Sequence, residues 1–115
     1  MDQEVVKYII RYFSHLMTYD EKAALQYHMY MYKSSDNEKQ RKIMIEKGWI
    51  RQTIETDNLL RSGYEEFEIN VAKRIVAQAP EEIFFNNCPQ CGKLARTPSA
   101  QQCRYCGLNW HQNKF

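Results

Sequence analysis

Four cysteines carry the clearest chemistry in this 115-residue chain. They stand in two pairs, Cys88-Pro89-Gln90-Cys91 and Cys103-Arg104-Tyr105-Cys106, each followed by a glycine, with the eleven residues Gly92 to Gln102 between them. Two intervening residues let both sulfurs of a pair reach one ion from a tight turn. The glycine supplies backbone freedom where amides bend back towards sulfur. Two such turns complete a tetrahedron, so the spacing predicts one structural Zn²⁺ per chain, with no coordination position left for water or substrate. Four thiolates also suit iron. Zinc is expected because the segment lacks the dense aromatic packing wanted around a redox iron. A chain read as cytoplasmic, with no spare cysteine, makes disulfides the less attractive pairing.

The paired knuckles CPQCG and CRYCG resemble those of zinc ribbons of the C-x2-C-G class, over about Asn87 to His111. The resemblance implies Zn²⁺ held between two knuckles, with short strands around Lys93 to Arg96 and Ala100 to Gln102. The longer run CPQCGKLARTPSAQQCRYCG is also similar to the tail of small bacterial zinc-ribbon proteins. Ribbons of this class serve nucleic-acid enzymes, transcription factors and protein adaptors alike, so the likeness implies the metal and leaves the function open.

Little else in the chain points to catalysis. His15 lies beside the Phe13/Leu16 stripe with no nucleophile or carboxylate placed near it, and reads as a boundary histidine. His28 falls on an apolar face with Ala24, Leu25 and Met31, and Glu21 lies two turns earlier on the same side, a geometry open to an acid-base or metal pair. A buried core histidine bonded to a tyrosine is the preferred reading. His111 would be a superfluous fifth ligand. There is no phosphate-binding glycine loop, paired-carboxylate motif or nucleophile elbow, so no enzyme is expected.

The elements that must carry these residues are helical. Val5, Ile9, Tyr12, Phe13 and Leu16 recur at helical spacing from Asp2 to about Met17, with Val6, Tyr8 and Met17 widening the stripe. Thr18-Tyr19-Asp20-Glu21 reads as a capping box that starts a second helix near Tyr19, with Ala24, Leu25, Tyr27, His28, Met31 and Tyr32 inward and an end before Ser34. Two antiparallel helices follow most simply. Ser35 to Glu38 offers another cap for a helix ending at Gly48, with Trp49 and Ile50 anchoring the exit. Residues 51–62 are ambiguous, with Thr56-Asp57 as one cap for a short turn. Ser62 and Glu65 mark a longer helix with Tyr64, Phe67, Val71 and Ile75 in one stripe, ending before Pro80. Beyond it, residues 81–87 read as an extended, partly apolar lead into the cysteines, with no Gly/Ser linker, so the tail is expected to pack on the helices. No internal repeat was apparent.

The expected fold is mainly α: a bundle of four to five helices over 1–82, followed by a zinc ribbon over 83–115. At this length one domain, or one domain with a small appendage, is the bound. The composition, 43% apolar and 26% charged, excludes disorder throughout. No apolar run approaches the roughly 18–20 residues of a membrane helix, and the start has neither the basic nor the apolar region of a signal peptide. A cytoplasmic location and no membrane partner are expected. Net charge is +2, yet residues 1–82 hold twelve cations and fourteen acids while 83–115 hold Lys93, Arg96, Arg104 and Lys114 and no acid. A Zn²⁺ with four thiolates carries about −2, which offsets part of that basic tail. Most aromatics sit at core spacing, with Tyr105 and Trp110 the exceptions. The function expected is a zinc-stabilised protein-protein interaction module, of inhibitor, immunity or adaptor type. The alternative is a nucleic-acid-binding regulator, with weak binding. Lys93, Arg96, Arg104, Tyr105 and Trp110 are the candidate partner-binding residues.

Overall fold

A computed structural model of the chain describes residues 1–110. Its helices are α1 (Gln3–Tyr12), α2 (Tyr19–Lys33), α3 (Glu38–Glu46), α4 (Ile54–Leu59) and α5 (Tyr64–Gln78), with 3₁₀ turns at Ser14–Leu16 and Pro80–Glu82. The mainly helical class and the number of helices agree with the sequence reading. No strand forms among the described residues: the strands implied by the ribbon resemblance are replaced by two isolated bridges, Asn87 with Leu94 and Gln102 with Asn109. Each hairpin arm is too short to build a ladder beyond one bridge.

The cap of α2 is the one expected. The Thr18 hydroxyl accepts from the Glu21 amide at 3.1 Å, and the Glu21 carboxylate accepts from the Thr18 amide at 2.8 Å. Three other starts differ from the sequence reading. Asn37 caps α3, its side chain accepting from Gln40 N–H, while Ser35 lies in the turn that closes α2, its amide donating to Tyr32 O. Thr53 caps α4 in the same way, leaving Thr56 buried inside the helix with its hydroxyl accepting from Thr53. Gly63, at φ 97°, starts α5 in place of Ser62, with no side-chain cap, since the chain must enter from the left-handed region.

The core gathers α1 and α5. Val6, Ile9, Ile10 and Phe13 pack with Phe67, Val71, Ala72 and Ile75, joined by Met17, Ala24 and Ile83. The expected antiparallel α1/α2 pair is therefore not the main contact: α1 packs on α5, and α2 packs on α4. Helix α5 buries Phe67, Val71, Ala72 and Ile75 along one face, whereas α2, of the same length, buries only Glu21 and Ala24. Glu21, 5% exposed, joins the two layers by accepting from the Arg74 guanidinium at 2.7 and 2.5 Å, while Arg74 also donates to the Leu16 carbonyl.

The inner face assigned to α2 needs correction. Tyr32 is 77% exposed, and Met29 is exposed beside it, because α2 is apolar on both sides and α4 covers only one. Nor is His28 fully buried: it is half-buried, with its ring stacked on Tyr64 at 3.7 Å between centroids. The aromatic count also shifts outward, since Tyr19, Tyr32, Trp49, Phe84, Phe85 and Tyr105 are all exposed. Helix α3 hangs at the end of α2, tied by Arg41 donating to Ser34 Oγ and to the Met31 carbonyl, and by Met44 as its single buried side chain.

Candidate metal centre

Each cysteine pair sits in a hairpin, and the two hairpins repeat with a fifteen-residue offset. In the first, Cys88 N–H donates to Lys93 O and Gly92 N–H to Cys88 O. In the second, Cys103 N–H donates to Leu108 O and Gly107 N–H to Cys103 O. The outer rungs match as well, Ala95 N–H to Asn86 O and Trp110 N–H to Gln101 O, both at 2.8 Å. Gly92 (φ 77°) and Gly107 (φ 79°) take the left-handed conformation that turns each chain back, which is why glycine follows each pair. The sequence reading missed this repeat. Its signal was the doubled amide, Asn86-Asn87 and Gln101-Gln102, preceding each C-x2-C-G.

The turns aim backbone amides at sulfur. Gln90 and Cys91 amides donate to Cys88 Sγ at 3.4 Å each, and the Tyr105 and Cys106 amides donate to Cys103 Sγ at 3.3 and 3.4 Å. Such donors favour the thiolate over the thiol. For Cys103, the Cys106 amide, helped by that of Tyr105, outweighs burial and brings the thiol down to about 6. Burial pushes Cys88 up, but the Cys91 and Gln90 amides and the Cys106 thiol carry it below the ordinary value. Cys91 and Cys106, the exposed members, lie above it: the Lys93 and Leu108 amides lower them, but burial and hydrogen bonds with the neighbouring thiols together outweigh those amides.

All four sulfurs lie within 4.8 Å of one another, with Cys88 to Cys106 at 3.6 Å and Cys91 to Cys103 at 3.5 Å. A tetrahedron with Zn–S bonds of about 2.3 Å has sulfur edges of about 3.8 Å. The donor set therefore fits a zinc ion held by all four cysteines, two of them buried and two on the surface. Zinc supplies a cross-link between two hairpins that have almost no apolar core of their own.

The cysteine region docks on the helices, as the apolar join suggested. Ile83 belongs to the core and Leu94 packs against it. Tyr8, on α1, donates its hydroxyl to Phe84 O at 2.6 Å and accepts from the Asn86 amide. Buried Asn86 then holds the loop between the hairpins, its amide nitrogen donating to Thr97 O and Ala100 O. From the second knuckle, Tyr105 donates its hydroxyl to the Glu4 carboxylate, and Arg104 pairs with the same carboxylate at 3.2 Å. By accepting a hydrogen bond from the Tyr105 hydroxyl, the Glu4 carboxylate holds the proton on that oxygen and raises its ionisation above the ordinary value.

Among the candidate partner-binding residues, Tyr105 is thus held by α1, with the Lys93 ammonium 4.6 Å and the Arg104 guanidinium 5.0 Å from its ring centre. Arg96 is exposed in the loop after the first knuckle, and half-buried Trp110 closes the outer rung of the second hairpin. His111 and Lys114 lie outside the described residues. His28 and Glu21 do not pair, since Glu21 is committed to Arg74 and to its cap. Glu4 and Asn86, which tie the metal region to the bundle, were not singled out in the sequence, because both act over contacts that no local spacing reveals. Comparison with models of known families, with curated proteins and with solved structures finds no match to this chain.

Proposed function

We propose that the protein is a zinc-stabilised binding module without a reaction of its own, and that it takes a protein partner on the outer face of α2. The observation that carries this reading is a continuous furrow along that helix. Three shallow depressions adjoin through shared residues: one includes His28 and Tyr32, the next Leu25 and Tyr30, the last Tyr19 and Trp49. Met29 and Lys33 belong to the first two, Lys22 and Gln26 to the last two. Such a face, apolar in its centre and flanked by Lys22, Lys33 and Arg51, suits an amphipathic helix with an acidic margin.

A nucleic-acid role for the cysteine region is less well supported. Two of its cations lie over Tyr105, which a stacked base would need free, and Arg104 is paired with Glu4. With a tetrathiolate zinc shell, no ligand position remains for catalysis at the metal.

A photo-cross-linking amino acid placed at Tyr32 tests the reading in a lysate of the source cells. The expected result is one protein adduct that disappears in Met29→Glu, a variant that keeps its circular dichroism. Adducts only to nucleic acid, or a protein adduct indifferent to Met29→Glu, would overturn the proposal.

A further inference from the structure

A second surface lies where α1 meets the cysteine hairpins. A groove of about 530 Å³ runs between them, a size within the roughly 300–1,000 Å³ of ligand sites. Lys7 and Arg11 reach it from α1, Arg96 from the loop after the first knuckle and Arg104 from the second knuckle. Among the described residues, Glu4 is the only acid that lines it. Two of the four cations are already matched: Lys7 pairs with Glu68 at 2.6 Å and Arg104 with Glu4. Arg11 and Arg96 have no carboxylate partner among the described residues. They come from different elements and line one groove, leaving it with two uncompensated guanidinium groups.

We propose that this groove binds a short acidic segment of a polypeptide, with carboxylates gripped by Arg11 and Arg96. Guanidinium forks match planar carboxylates in paired hydrogen bonds, which a lone ammonium does not. Tyr12, Leu94 and Ala95 in the same lining offer apolar contact for side chains between the acids. Arg96 and Arg104 also border a neighbouring cleft of about 430 Å³ that reaches Cys103. A zinc tetrathiolate at that end carries about −2 and bounds the positive stretch, so an occupant a few acidic residues long fits it, whereas a continuous phosphate backbone would run past the arginines onto the negative end. The proposal does not depend on the α2 furrow, and it makes the metal region a wall of a binding site as well as a cross-link.

Fluorescence anisotropy of a labelled oligoglutamate peptide with the zinc-loaded full chain tests it. Saturable binding is expected, weakened about tenfold by Arg96→Ala and about tenfold by Arg11→Ala, each a lost charge-assisted contact. Lys39→Ala on α3, remote from the groove, leaves it unchanged, and binding falls as salt is raised. Absence of saturable binding, equal loss in Lys39→Ala, or tighter Arg96-dependent binding of a random single-stranded DNA probe would overturn the proposal.

Discussion

Replacing Glu21 by alanine removes two supports at once. The carboxylate is one arm of the α2 capping box, worth about 1 kcal/mol. It is also the partner of Arg74, with contacts at 2.7 and 2.5 Å. Breaking a buried ion pair from one side costs about 3–5 kcal/mol. Here Arg74 is 25% exposed and keeps the Leu16 carbonyl and Gln78 as acceptors, which lowers that part to about 2–3 kcal/mol. The expected loss for Glu21→Ala is thus about 3–4 kcal/mol, a large share of a small domain's stability. Glu21→Gln keeps a neutral acceptor for the cap and should lose only about 1–2 kcal/mol. The double variant Glu21→Met with Arg74→Met leaves no orphaned charge, and should be more stable than Glu21→Ala. Urea unfolding followed by far-UV circular dichroism reads all three, with a midpoint shift of about 2 M for Glu21→Ala at the usual urea dependence. A loss under about 1 kcal/mol, or a double variant no better than the single one, would refute the assignment of Glu21 as the joint between the layers.

Further outcomes follow from the same contacts. Cys91→Ser should abolish metal binding yet keep most far-UV helicity, since the α1/α5 core is built without the cysteines; wholesale loss of helicity would show the two regions to be one folding unit. His28→Ala removes a half-buried ring stacked on Tyr64 and should cost about 1–2 kcal/mol in urea unfolding, less than a fully buried core truncation. Tyr64 holds its proton in the folded state, through burial first and then its hydrogen bond to Glu68, so its ionisation lies above the ordinary 10.0. The folded chain then binds more protons than the unfolded chain above that value. Stability from this source is complete below about pH 10 and declines as pH rises towards the folded value. Comparing urea midpoints at neutral and strongly alkaline pH should show a smaller decline for Tyr64→Phe, and equal declines would contradict the assignment.

Local chemistry was legible in the sequence where it closes within a few residues. The Thr18/Glu21 box, the stop of α2 before Ser34, the stripe of α5 and the two cysteine knuckles each depend on neighbours three to five positions apart. Competition between adjacent capping residues was harder to read: Ser35 against Asn37 and Ser62 against Gly63 are decided by how the incoming chain is bent. The exposure of Tyr32 was hidden for a different reason. A helix apolar on two sides shows no single inner face, and which side is covered depends on where α4 packs. The contacts that attach the metal region, Tyr105 to Glu4 and Tyr8 to Phe84, join residues 101 and 76 positions apart and leave no trace in local spacing. The hairpin repeat was visible in retrospect as CPQCG and CRYCG with paired amides before each, but its backbone pairing emerges only when both turns are folded.

The central claim is that Cys88, Cys91, Cys103 and Cys106 together hold one zinc ion. X-ray absorption at the zinc edge, on protein purified under reducing conditions and assayed for metal content, tests it most directly. One zinc per chain in a shell of four sulfurs at about 2.3 Å is the result expected. A shell containing nitrogen or oxygen, or metal-free protein with Cys88 and Cys91 joined as a disulfide, would contradict it.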